Sequence, residues 1–147
     1  MLTPEETARR SAEAMLAGDQ ASLAAGVELV DVGPGHATAT MAVRDDMVNG
    51  HDIAHGGYVF LLADTAFAVA CNSYGQSTVA AGCDITFVAP VHAGDLLTAE
   101  AVERHRAERS GIYDVSVRRA DGTVVAELRG RSRTIAGTLV PQEDEQT

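Results

Sequence analysis

Asp64 is the first residue to suspect of chemistry. No other Asp, Glu, Lys or Arg lies between Asp52 and Asp84. Asp64 interrupts the apolar run 58–71, and a lone carboxylate in such surroundings is costly unless something pairs it or uses it. Just upstream, Asn49-Gly50-His51 and His55-Gly56-Gly57 lead into that run. Glycines are poor formers of a first helical turn, so their use here is close backbone approach. A helix that starts at them leaves its first amides without intrahelical partners, at the positive end of the macrodipole. A carbonyl placed there is polarised and an oxyanion is stabilised.

Asp64 follows Gly56 by eight residues, roughly 12 Å along one helix. From one chain, the two are too far apart to hold the same carbonyl and its attacking water. The acid is therefore expected to reach a site built with the helix start of a second subunit, which makes the catalytic unit a dimer. Plainer readings exist for each residue alone. An Asp before a Thr in a helix is often a structural polar group, His55 suits a helix start, and two glycines suit a tight turn. The combination of all four raises the case for chemistry.

The surrounding elements follow from local signals. Thr3-Pro4-Glu5-Glu6 is a capping signature that predicts a helix over 4–17, stopped near Gly18. Residues 25–32 and 36–43 read as strands joined by Gly33-Pro34-Gly35. Residues 44–54 read as a polar loop. A helix from about 54–57 to 74, apolar nearly all round, should be buried on most sides. Four strands follow at 77–89, 95–106, 111–119 and 123–134, with Ala120-Asp121-Gly122 turning between the last two. One long buried helix among antiparallel strands predicts an α+β fold, a sheet wrapped round that helix. The expectation is a single domain over 1–136 and a flexible acidic tail over 137–147.

The 147 residues are the size of one ordinary domain, and a 46% hydrophobic fraction supplies a core. A net charge of −10 disfavours nucleic acid and anionic membranes as primary partners. Cys71 and Cys83 lack CxxC spacing and read as buried reduced thiols, which with no signal-like N-terminus predicts a cytoplasmic protein. The apolar run is too short to span a bilayer. His51, His92 and His105 show no metal spacing, so no metal is expected.

The quoted motif, with Leu62-Ala63-Asp64-Thr65-Ala66-Phe67-Ala68 and Cys71-Asn72-Ser73, resembles the hotdog-fold acyl-CoA thioesterases of the phenylacetate-degradation branch. Phe87-Val88-Ala89-Pro90, Gly111-Ile112-Tyr113-Asp114 and Arg129-Gly130-Arg131-Ser132 extend the resemblance over about residues 20–136. It implies hydrolysis of phenylacetyl-CoA or a ring-hydroxylated form. Asp64 would activate water or attack the thioester. Gly56 would polarise its carbonyl, Asn49 would hold water or thioester, and His55 would help position the carbonyl. Gly57 and Thr65 would support the substrate, Tyr58, Leu61 and Leu62 would line the acyl pocket, and Ser132 and Arg131 would sit near coenzyme A. No cofactor is implied beyond the coenzyme A of the substrate. The implied assembly is a homodimer with two interfacial sites, paired into a homotetramer.

Arg129, Arg131 and Arg133 alternate along one strand and so share a face. They suit phosphates, but a solvated face with salt bridges to Glu100, Glu103 or Glu127 is the favoured reading. Two other functions stay open. A non-catalytic acyl-CoA sensor would be expected to lack the acid or to carry a DNA-binding extension. A hotdog dehydratase would need a catalytic His in a different motif.

Overall fold

The computed structural model describes residues 1–140. Helix α1 spans Pro4–Ala17, with Thr3 and Glu6 forming the reciprocal capping box. A second short helix, α2, spans Gln20–Ala25 where the sequence led us to expect irregular chain and the start of a strand. Its signals are local: Asp19 caps it by accepting the Ser22 amide, and Gly26 closes it in the left-handed region at φ 76°. Six residues are too few for an apolar period to reveal such a helix. Strands β1 (Glu28–Gly33) and β2 (His36–Ala42) follow, then the long helix α3 (Gly56–Cys71). The remaining strands are β3 (Gln76–Phe87), β4 (Leu96–Ala107), β5 (Ser110–Arg119) and β6 (Val124–Thr138). The expected tail boundary at 137 moves, because β6 runs on to Thr138 and the Leu139 amide donates to Gly75 O at 2.8 Å. Residues 141–147 of that tail lie outside the described residues.

The six strands form one antiparallel sheet in the order β1-β2-β4-β5-β6-β3. It wraps round α3, which packs against every strand and is buried along most of its length. This is the layering the apolar, nearly faceless helix demanded. The helix ends where Asn72 takes over: Nδ2 donates to Ala68 O and Thr78 O at 2.8 and 2.9 Å, and Oδ1 accepts the Thr78 amide. The same side chain therefore stops α3 and starts β3.

Phe67 shows how tightly helix and sheet meet. Its ring lies over Gly130 of β6 and against Tyr113 of β5, centroids 5.6 Å apart. A Cβ on Gly130 would stand 2.7 Å from that ring. Gly130→Ala should therefore overpack the core and destabilise the fold by about 1–3 kcal/mol. Chemical denaturation checks this, and an unchanged midpoint would refute the packing account.

Candidate active site

The loop before α3 is folded by its own polar groups. The Asn49 side chain accepts the His51 and Ile53 amides through Oδ1 at 2.9 and 3.3 Å. Its Nδ2 has no partner among the described residues. Backbone bonds from Ala54 to Val91 O and from His55 to Met47 O, both 2.7 Å, pin the chain as it enters the helix. His55 is then the N-cap, and its Nδ1 accepts the Gly57 amide at 3.0 Å. That bond leaves the proton of the neutral ring on Nε2, which faces outward as a donor. It also occupies the Gly57 amide. The Gly56 amide makes no hydrogen bond among the described residues, so it is the one left to polarise an incoming oxygen.

Beside Gly56 lies an apolar cavity of about 200 Å³, lined by Ile53, Val59, Phe87, Val91 and Val125 among others. The Phe87 ring stands 3.0 Å from where a Cβ on Gly56 would be. Sequence reasoning quoted Phe87 only as part of a motif, because nothing local shows that the end of β3 meets the start of α3. Of the side chains expected to line an acyl pocket, Leu62 is 0% exposed in the core. Tyr58 and Leu61 are half-buried and lie outside this cavity.

Asp64 is half-buried two turns further along. Its carboxylate has no hydrogen-bond or ion-pair partner among the described residues. Because no fully buried polar side-chain atom among the described residues lacks a partner, its oxygens must keep contact with solvent. Burial, and then the negative charge of Asp19, hold its proton affinity above that of an ordinary aspartate. Asp19 is there because Ser22 links it to α3. The Ser22 hydroxyl lies 2.6 Å from Asp19 Oδ2 and 2.9 Å from Thr65 Oγ1. Thr65 in turn donates to Leu61 O at 2.9 Å. Its hydroxyl is thus already engaged within the chain. Cys83 of β3 and Cys71 also feel the Asp64 charge, and burial is the main cause that pushes the Cys71 thiol up to about 12. Both cysteines are free.

A profile of the thioesterase superfamily matches residues 51–126. The acyl-coenzyme A thioesterase PaaI of Escherichia coli (strain K12) is 44% identical over 130 residues, covering 88% of this chain and 93% of that protein. The chain belongs to the thioesterase superfamily.

As a thioesterase it is a thioester hydrolase on the hotdog fold. The structure of E. coli PaaI, from the phenylacetic acid degradation operon, superposes with a TM-score of 0.91 at 43% identity, covering 92% of this chain and 99% of that one. A mutant of the phenylacetic acid degradation protein PaaI from Thermus thermophilus gives 0.77 at 35% identity, covering 80% and 100%. The protein smu.793 of Streptococcus mutans UA159, solved bound to acetyl CoA, gives 0.73 at 25% identity, covering 76% and 90%.

Within one thioesterase chain the candidate residues fall into separate groups. Asn49, His55, Gly56 and Gly57 gather at the helix start. Asp64 and Thr65 lie two turns away. Ser132 and Arg131 occupy opposite faces of β6. Ser132 is 6% exposed and packs toward Gly111 on the helix side, whereas Arg131 lies outside and donates to Asp84 Oδ2 at 2.8 Å. Arg129 makes two bonds to Asp114, at 2.7 and 2.9 Å. These acids replace the glutamates expected from sequence, because strand register sets Asp114 and Asp84 opposite Arg129. Among the described residues no group of three His, Cys, Asp or Glu could hold a metal, and no helix is long and apolar enough to cross a membrane.

Proposed function

We propose that this thioester hydrolase acts on an arylacetyl-CoA, phenylacetyl-CoA or a ring-hydroxylated form, releasing the free acid and coenzyme A. The observation that supports the reading is that two groups, the Asp64 carboxylate and the Gly56 amide, have no hydrogen-bond partner among the described residues. The Gly56 amide takes the thioester carbonyl, whose developing negative charge it stabilises. Asp64 then acts as base toward water or attacks the carbonyl itself. A thioester has a good leaving group, so one carboxylate suffices without a triad. Asn49 Nδ2 and the His55 Nε2 proton are free to hold water or substrate. The apolar cavity beside Gly56 suits an aryl ring. The PaaI likeness supports the acyl-CoA substrate. No cofactor is needed beyond the coenzyme A that the substrate brings, and the reading places the enzyme in the cytoplasm.

The site is shared between two copies. Cys83 feels the Asp64 charge and Phe87 lies against Gly56, both on β3. Eight helical residues rise roughly 12 Å and four strand residues roughly 13 Å, so α3 and β3 run side by side in opposite directions. A two-fold axis near Phe60 and Ile85 would set each Asp64 against Gly56 of the other copy. β3 is an edge strand, free to pair across such an axis. The family likeness supports a further pairing of two dimers into a tetramer.

The test is release of free coenzyme A across a panel of acyl-CoA esters. Phenylacetyl-CoA should exceed acetyl-CoA in kcat/KM by at least about tenfold. Equal rates across the panel would overturn the arylacetyl assignment. Tight binding of a non-hydrolysable thioether with no ester turnover would replace the enzyme by a sensor.

A further inference from the structure

The chain has two asparagines, Asn49 and Asn72, in opposite chemical situations. Asn72 is 3% exposed, and both ends of its side-chain amide are bound. A serine follows it. Asn49 is exposed, and a glycine follows it. The side-chain carbon Cγ of an asparagine is an electrophile, and the backbone nitrogen of the next residue is a nucleophile tethered beside it. A bond between them closes a five-membered ring, the reaction that makes asparagine a labile residue.

At Asn49 all three parts of that reaction are free to act. The electrophile is polarised, because Oδ1 accepts the His51 and Ile53 amides at 2.9 and 3.3 Å. The same two donors would stabilise the oxyanion formed when Cγ is attacked. The nucleophile is unengaged, since the Gly50 amide donates to no acceptor among the described residues. Gly50 carries no side chain to shield its nitrogen, and nothing packs within 4 Å of where a Cβ would be. The leaving group, Nδ2 of Asn49, has no partner among the described residues to hold it back. The turn is closed by the Asp52 amide donating to Asn49 O at 3.1 Å. Asp52 there sits at φ 60°, a region that residues other than glycine rarely adopt, so opening the turn relieves strain.

We propose that Asn49 is a self-modification site, cyclising onto the Gly50 nitrogen and ending as aspartate or isoaspartate with loss of turnover. The Gly50 nitrogen gives up its proton and bonds to Cγ. The Cγ–Nδ2 bond breaks, and Nδ2 leaves as ammonia with that proton. Water then opens the resulting succinimide at one of its two carbonyls, giving aspartate or isoaspartate. The loss of turnover rests on the reading of Asn49 as a group that holds water or substrate. Either product lacks the Nδ2 donor and puts a negative charge at the helix start, where negative charge must develop on the thioester carbonyl. Isoaspartate also lengthens the backbone of the loop by one carbon. The enzyme would thus carry a timer in its own site.

The experiment ages the wild-type protein in warm, mildly alkaline buffer and reads peptide masses beside release of coenzyme A from phenylacetyl-CoA. The peptide holding Asn49 should gain about one dalton, while the peptide holding Asn72 stays unchanged. Turnover should fall in proportion to the modified fraction. Gly50→Ala starts with wild-type turnover, because Gly50 is outside the left-handed region and has open space around it. It should gain the mass and lose turnover about tenfold more slowly, since a Cβ now crowds the nitrogen. Asn49→Asp should show from the start the turnover that fully aged protein reaches. No mass gain at Asn49, or a gain as fast in Gly50→Ala, would overturn the cyclisation. Full turnover in protein already modified at Asn49 would overturn the timer. If fresh wild type cleaves no thioester, the thioesterase reading and the timer fail together, while the masses still decide the cyclisation.

Discussion

Replacing Asp64 by Asn should lower kcat for an acyl-CoA thioester about a thousandfold and, at neutral pH, make the protein more stable. The two effects have one cause. Asp64 lies half-buried near Asp19 with no bonding partner, so its carboxylate is poorly solvated and uncompensated. Its folded-state pKa lies above its unfolded value. Ionisation therefore opposes folding, and the stability present below the ordinary aspartate range near pH 3.9 is lost as pH rises through the folded-state value. Asn keeps the shape without the charge. Its melting temperature should exceed wild type at pH 7, and the gap should close as pH falls toward about 4. Wild-type kcat/KM should fall in acid with a limb above that of an ordinary carboxylate. Wild-type turnover in the variant would remove Asp64 from the mechanism, and a variant less stable at pH 7 would refute the raised proton affinity.

The second expectation concerns the Gly56 amide. Gly56→Pro should reduce kcat/KM by about 10²–10³ while leaving α3 folded. Proline is well tolerated at the first helical position, where its missing N–H has no intrahelical acceptor. His55, at φ −59° and ψ 130°, already has the conformation required before proline. The added ring atoms would approach Phe87, which is 52% exposed. Gly56→Ala adds the Cβ but keeps the N–H, so it should lose far less. The pair also tests the shared site. Co-expressed Gly56→Pro and Asp64→Asn subunits should recover about a quarter of wild-type activity, because each mixed dimer holds one wholly intact site. A site contained in one chain would recover nothing.

Much of the fold was legible because its signals are local. Thr3 and Glu6 announced α1, Gly33-Pro34-Gly35 announced a hairpin, and the all-round apolar run announced a helix enclosed by the sheet. The helix α2 escaped because its evidence is a cap and a left-handed glycine with no period between them. In the site, Asp64 stood out by the absence of charge around it. Phe87 and Asp19 did not, since their positions beside Gly56 and Asp64 are set by contacts between elements distant in sequence. The resemblance set both Ser132 and Arg131 near coenzyme A, yet the alternation of β6 sends them to opposite faces.

The two edges of the sheet are not alike. At β1 a bulge between Leu29 and Asp31 breaks the ladder, Glu28 and Asp31 are exposed, and α1 packs alongside. Such an edge resists adding a strand. β3 presents a long, bare edge of small and apolar residues to the outside. A molecule with one blunted edge and one receptive edge can add a single copy of itself by two-fold pairing and then has no receptive edge left. In the dimer proposed above, growth by strand addition would thus end at two chains, and the same asymmetry would protect the protein from open-ended polymerisation.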